Sequence, residues 1–282
     1  MAPNVWSNAP ASWVGIFLRK PDFMYASTIT GFADRAAVDA AAIRRSPAGF
    51  FVGAMLAGAY IGIAMILAIS TAGGLPAGVR PLVMGATFGL GLLLTVFAGG
   101  ELFTGYVMYL GFGLMRRTVS WADAGVLMVV VWIGNLIGAL VLSALFIAGG
   151  GGQVFAYATT MFNAYTAHKV EADAVTLLAR AILCNWLVCL SIWTAARVTG
   201  DAAKIFAMAW ILLAFVAAGF EHSVANMTAL TLGLFSPGET IAMPGIIHNL
   251  VYVTLGNIIG ALVFVVGAYG LTAKTDAPAA TH

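Results

Sequence analysis

Glu221 and His222, followed by Ser223 and Asn226 in the stretch Ala217-Ala-Gly-Phe-Glu-His-Ser-Val-Ala-Asn-Met227, put ionisable and amide side chains inside an otherwise apolar run. A charged group at membrane depth costs about 3 kcal/mol or more unless it faces a protein interior or a water-filled path, so such groups mark ion pathways and proton relays. On a helix beginning at Glu221, His222 and Asn226 are four apart and share a face, so an imidazole and a carboxamide can point together into a pore. Histidine is the side chain that titrates nearest neutral pH, and it can donate a hydrogen bond to an anion or hand it a proton. Glu221 can orient the imidazole or cap the helix that follows. The alternative is a purely structural capping cluster.

A second constellation, Glu101-Leu102-Phe103-Thr104-Gly105, sets a carboxylate, two bulky apolar residues and a hydroxyl on another glycine-rich break. Leu102 and Phe103 there suit a hydrophobic plug of the kind that gates by dewetting, with Thr104 as a polar contact across the gap. Phe88, Leu92 and Phe215 precede the two breaks and suit further apolar rings, or ordinary packing. Lys169, on the side of the membrane poor in basic residues, can draw anions into a mouth or be a solvated loop lysine.

These residues need elements to hold them, and composition says which. The chain has 282 residues, 61% hydrophobic and only 9% charged, with a mean hydropathy of +0.97. That lies outside soluble domains and within multi-span membrane proteins. A helical span needs roughly 20 apolar residues, and such stretches fall at 48-70, 81-114, 122-148, 175-198, 205-236 and 246-271. The second and fifth exceed one simple span, and each is interrupted by glycine and a carboxylate: Gly99-Gly100-Glu101 and Gly219-Phe220-Glu221. They are expected to be broken helices, because irregular backbone at membrane depth is allowed only where it is buried or lines a cavity.

Ten of the thirteen basic residues fall on one side of these spans, which puts both termini in the cytoplasm; Arg80, Lys169 and Arg180 are the exceptions. Residues 27-46 read as an amphipathic helix lying on the cytoplasmic surface, residues 1-26 as an N-terminal extension without clear periodicity, 47-272 as one six-span domain and 273-282 as a cytoplasmic tail. The start does not read as a cleaved signal. Cys184 and Cys189 sit about 140° apart around one helix and read as packing thiols.

The chain repeats itself: Gly134-Asn-Leu-Ile-Gly-Ala-Leu140 returns as Gly256-Asn-Ile-Ile-Gly-Ala-Leu262, and Glu101 and Glu221 precede them by 33 and 35 positions. Three crossings per half is an odd number, so the halves must run in opposite directions, with their broken helices meeting near the midplane. Asn135 and Asn257 in these segments read as interhelical hydrogen bonders at close small-residue contacts.

Gly100-Glu-Leu-Phe-Thr104, the paired Gly-Asn segments, His168-Lys169, Leu183-Cys-Asn-Trp-Leu-Val-Cys-Leu190 and Ala218-Gly-Phe-Glu-His-Ser-Val-Ala-Asn-Met227 together resemble the formate/nitrite transporter family over about residues 30-272. Arg80-Pro-Leu-Val-Met-Gly-Ala-Thr-Phe-Gly89 and Thr104-Gly105 make the nitrite channel branch the nearer match. The resemblance implies an all-α, aquaporin-like protomer in a homopentamer of a bacterial cytoplasmic (inner) membrane, with no cofactor, no metal and no nucleic acid. By the same resemblance His222 is the central pore histidine, with Asn185 and Asn226 as polar neighbours, Leu92 in the cytoplasmic constriction, Phe88 and Phe215 in the outer one and Lys169 at the outer vestibule. The expected permeant is a small monovalent anion, nitrite foremost, with formate or hydrosulfide as alternatives and protons as partners. A neutral-solute channel lacks the expected Asn-Pro-Ala boxes. An enzyme using Glu221 and His222 lacks a metal-ligand set, a nucleophile elbow or a phosphate loop.

Overall fold

The computed structural model describes residues 25–238 and 241–275. Nearly all of the N-terminal extension, with Trp6, Trp13, Arg19 and Lys20, and the end of the C-terminal tail lie outside the described residues.

The described chain is helical: α1 (Ala26–Arg45), α2 (Pro47–Ala72), α3 (Arg80–Leu93, continued by a wide π-helical turn Leu94–Gly99), α4 (Phe103–Arg116), α5 (Trp121–Ala148), α6 (Gly152–Ala156), α7 (Thr159–Glu171), α8 (Ala174–Arg197), α9 (Asp201–Ala217), α10 (Ser223–Leu234), α11 (Met243–Ala261, running through a π-helical turn Leu262–Gly267) and α12 (Ala268–Thr275). Five stretches are long and apolar enough to cross a membrane: α2, Arg80–Gly99, α5, α8 and Met243–Ala273. The expected fifth span is two shorter helices, α9 of 17 residues and α10 of 12.

Local chemistry sets the ends. Ser120 and Asp123 form a reciprocal capping box that opens α5, and Asp173 accepts two backbone N–H groups, each at 3.0 Å, to open α8. A further bond from the Thr176 hydroxyl, with those backbone donors, holds the Asp173 carboxyl below its ordinary range. Pro47 begins α2, where its missing N–H costs no helical bond.

α1 packs one face on protein. Ile29, Phe32, Ala33, Ala36 and even Asp39 are buried, and the Thr118 hydroxyl, just past α4, donates to the Ala33 carbonyl at 2.7 Å.

α2 packs on α5, and α8 on α11, through glycines at matching places. A Cβ at Gly138 would run into the Met55 carbonyl, and one at Gly260 into the Ile182 carbonyl. These are the close backbone approaches expected of the two repeated segments. Gly138→Ala is therefore expected to lower stability by about 1–3 kcal/mol through overpacking, whereas Gly125→Ala, with nothing within 4 Å, should be silent. Thermal midpoints of the detergent-solubilised variants compare them.

Candidate functional site

Both breaks are built alike. The residue two before each carboxylate, Gly99 or Gly219, has φ of +88° or +75°, a conformation that favours glycine. Gly100 is extended, and its small size answers a different need, since a Cβ there would sit 3.1–3.2 Å from Ala57. Next, the Glu101 N–H donates to the Gly53 carbonyl at 3.1 Å and the Glu221 N–H to the Arg180 carbonyl at 3.3 Å.

The asparagine of each repeated segment then ties the break to a neighbouring helix. Asn135 Nδ2 donates to the carbonyls of Ala54 (2.7 Å) and Glu101 (2.8 Å) while its Oδ1 accepts the Phe103 N–H (2.8 Å). Asn257 Nδ2 donates to the carbonyls of Ala181 (2.8 Å) and Glu221 (3.0 Å) while its Oδ1 accepts the Ser223 N–H (2.9 Å). Each buried amide thus satisfies two backbone groups at the interruption, one carbonyl and one N–H, and ties them to a carbonyl inside an intact neighbouring helix.

Each carboxylate meets a cation from the helix preceding its half. Glu221 takes Lys169 Nζ at 2.7 Å, from α7, and Asn226 Nδ2 at 2.6 Å. Glu101 takes Arg35 Nη2 at 3.0 Å, from α1, and the Tyr106 hydroxyl at 2.7 Å. Asn226 and Tyr106 each stand five residues after their glutamate. Lys169 is 5% exposed, so it is neither a solvated loop lysine nor a free cation at the mouth. Its partner is Glu221, which leaves that carboxylate unavailable to orient the imidazole.

His222 orients itself. It is the N-cap of α10, with Nδ1 accepting the Ala225 N–H at 3.2 Å and Nε2 lying 3.3 Å from Thr104 Oγ1 on the opposite break. Because a backbone N–H only donates, Nδ1 must offer a lone pair, and the neutral ring carries its proton on Nε2. Phe215 and Phe88 pack beside it, their centroids 6.0 and 6.5 Å from the imidazole and 5.7 Å from each other.

Two cavities flank this cluster along α3. The first, about 480 Å³, is lined by Arg80, Phe88, Lys169, Arg180, Phe215, His222 and Asn226. The second, about 390 Å³, is lined by Arg35, Leu92, Glu101, Leu102, Tyr106 and Tyr109. Phe88 and His222 line the first and Leu92, a turn after Phe88, the second, so the cavities follow one another along α3, and Thr104 lines neither.

Several expected placements change. Phe103 is buried at the first position of α4 and lines neither cavity, whereas Leu102, extended just before the helix, lines the second. Asn185 also lines neither, its Nδ2 donating to the carbonyls of Asn257 (2.7 Å) and Thr104 (3.2 Å) from behind. Asn226 reaches the first cavity, but its Nδ2 bonds Glu221 and Asn249 Oδ1 (2.8 Å), not His222. Sequence reasoning missed Arg80, Arg180, Tyr106 and Asn249 as members of these clusters. The signal for the first two was present, since they and Lys169 are the basic residues outside the charge rule, and all three converge on one cavity.

Comparison with known proteins agrees with this construction. A family model described as "Formate/nitrite transporter" matches residues 32–271. The chain belongs to the formate/nitrite transporter family. It is 42% identical over 259 residues to "Nitrite transporter NirC" of Escherichia coli (strain K12), covering 91% of this chain and 96% of that one. A solved structure described as "FNT family ion channel" superposes with a TM-score of 0.84 at 42% identity, covering 87% of this chain and 98% of the other. Another, "Pentameric formate channel with formate bound", gives 0.70 at 30% identity, covering 81% and 98%. Members of the formate/nitrite transporter family are transporters and channels, which removes the membrane-embedded enzyme as a reading of Glu221 and His222.

Proposed function

We propose that the chain is a passage for small monovalent anions, nitrite foremost, which cross the constriction as the neutral weak acid while His222 supplies a hydrogen bond. The carrying observation is the His222 ring, 3% exposed, on the wall of the first cavity with Nδ1 engaged by the Ala225 N–H and Nε2 on Thr104. A ring held in that tautomer is a poor proton source, because giving up the Nε2 proton would leave an imidazolate. Doubly protonating it would break the cap. The proton therefore travels with the permeant from water, and a bare anion is kept out by the large cost of desolvation between Phe88, Phe215 and Leu92. Asn226 Oδ1, which no described donor reaches, is an acceptor suited to the O–H of such an acid.

On this reading the face carrying Arg44, Arg45, Arg116 and Arg117 is cytoplasmic, the first cavity opens outward, and the protein sits in a bacterial inner membrane. The likeness to a pentameric relative supports a homopentamer with one passage per protomer, which would cover part of the apolar faces of α5 and α11, where Ile133, Leu140, Ile247 and Val251 are exposed.

Nitrite uptake into proteoliposomes at two pH values tests the reading. His222→Phe, which removes the donor and the cap, is expected to cut flux by roughly 10- to 100-fold, the weight of one or two buried hydrogen bonds. His222→Gln should retain acid-stimulated flux, because an amide also donates. Unchanged flux and pH dependence in His222→Phe would remove the ring from the pathway.

A further inference from the structure

Beyond the passage itself, the two mouths differ in charge. The outward cavity is lined by Arg80, Lys169 and Arg180 against one carboxylate, Glu221, a formal balance of +2. At the other cavity Arg35 faces Glu101, and a second carboxylate stands behind it: Asp39 Oδ2 lies 2.8 Å from Arg35 Nε, with the Asp39 side chain only 4% exposed. The lining itself sets Arg35 against Glu101, a formal balance of 0, and Asp39, which does not line the cavity, adds a carboxylate beside Arg35. Tyr106 adds a hydroxyl that donates to Glu101 Oε2 at 2.7 Å and brings no charge. Lys169 is also spent on a carboxylate, but there Arg80 and Arg180 remain at the cavity, whereas Asp39 takes what Arg35 would otherwise offer.

We infer that Asp39, by holding Arg35, keeps the cytoplasmic mouth less attractive to anions than the outer one, so the passage saturates at lower nitrite concentration from outside than from inside; this rests on the proposed anion reading and its orientation. A focused positive potential raises the local anion concentration at one entrance, and a balanced one gives no such gain at the other. Detailed balance fixes the form of the effect. With equal pH and no membrane potential, the ratio of maximal flux to half-saturation must be the same from both faces, so the asymmetry appears in saturation and not in low-concentration permeability. Asp39 is a positioning and field-setting residue here; it touches neither the permeant nor His222.

The test is one-way nitrite flux in right-side-out and inside-out vesicles containing the full chain, at matched pH with the potential clamped to zero. Half-saturation is expected to be lower from the outer face. Asp39→Asn should lower the inner value by about 3- to 10-fold and leave the outer one in place, while Arg80→Gln with Arg180→Gln should raise the outer value alone. The Arg80 and Arg180 shift should shrink as salt rises, because those charges are partly exposed, and the shift from buried Asp39 should shrink less. Equal half-saturation from both faces, or an Asp39→Asn shift of both together, overturns the inference alone. No nitrite flux from either face overturns it together with the anion reading.

Discussion

Lys169→Met is expected to destabilise the protein by about 3–5 kcal/mol, the cost of leaving one member of a buried ion pair without the other. The Lys169 and Glu221 side chains are 6% and 4% exposed, and Nζ to Oε2 is 2.7 Å, so neither charge can recover its hydration once its partner is gone. Pairing Lys169→Met with Glu221→Leu should restore much of the loss, because removing both charges also removes both desolvation costs. The equivalent pair in the other half behaves differently. Arg35 and Glu101 are 48% and 20% exposed, and Arg35 keeps Asp39 when Glu101 is changed, so Glu101→Gln should cost about 1 kcal/mol or less. Thermal unfolding of the three detergent-solubilised variants decides this. A single Lys169→Met no worse than the double variant would show that the buried charge is not what holds α7 to the second break.

Asn257→Leu is the second large effect. It deprives the Ser223 N–H and the Glu221 carbonyl of their partner and removes the tie to the Ala181 carbonyl on the neighbouring helix. Each buried backbone group so orphaned costs about 1–3 kcal/mol, so the sum should exceed about 2 kcal/mol even with partial relaxation. Because Ser223 follows His222, nitrite flux through whatever folded protein remains should fall as well. Asn135→Leu should match it in stability through Phe103, Ala54 and Glu101. As a control, Asn163→Ala, which loses a partly exposed bond to the Pro237 carbonyl and one from the Ser236 hydroxyl, should cost far less. Comparable losses in all three would mean that the two asparagines only fill space.

What sequence reveals here follows from what is local. Glycine beside a carboxylate inside an apolar run signals an interruption wherever it occurs, and an odd number of crossings between two copies of Gly-Asn-x-Ile-Gly-Ala-Leu sets their relation without coordinates. Partner choice is not local. Lys169 and Glu221 are 52 positions apart and Arg35 and Glu101 are 66 apart, and no periodicity links them. Nor does residue type say which of Leu102 and Phe103 faces a cavity, or that Asn226 turns to Glu221 and Asn249 while His222 caps its own helix. Those choices come from rotamers and from how α7 and α1 dock. The roles of Gly99 and Gly100 depend likewise on one torsion and one neighbour.

The two asparagine clamps have a consequence for how this architecture can diversify. They fasten the interruptions through main-chain atoms, so the frame around the gap is indifferent to which side chains fill it. On the proposed reading, Phe88, Leu92, Leu102 and Phe215 are inserts in that frame, and exchanging them leaves the asparagine bonds in place. The same reading lets a lineage, or a designer, retune what fits through by editing four positions while those bonds stay as they are.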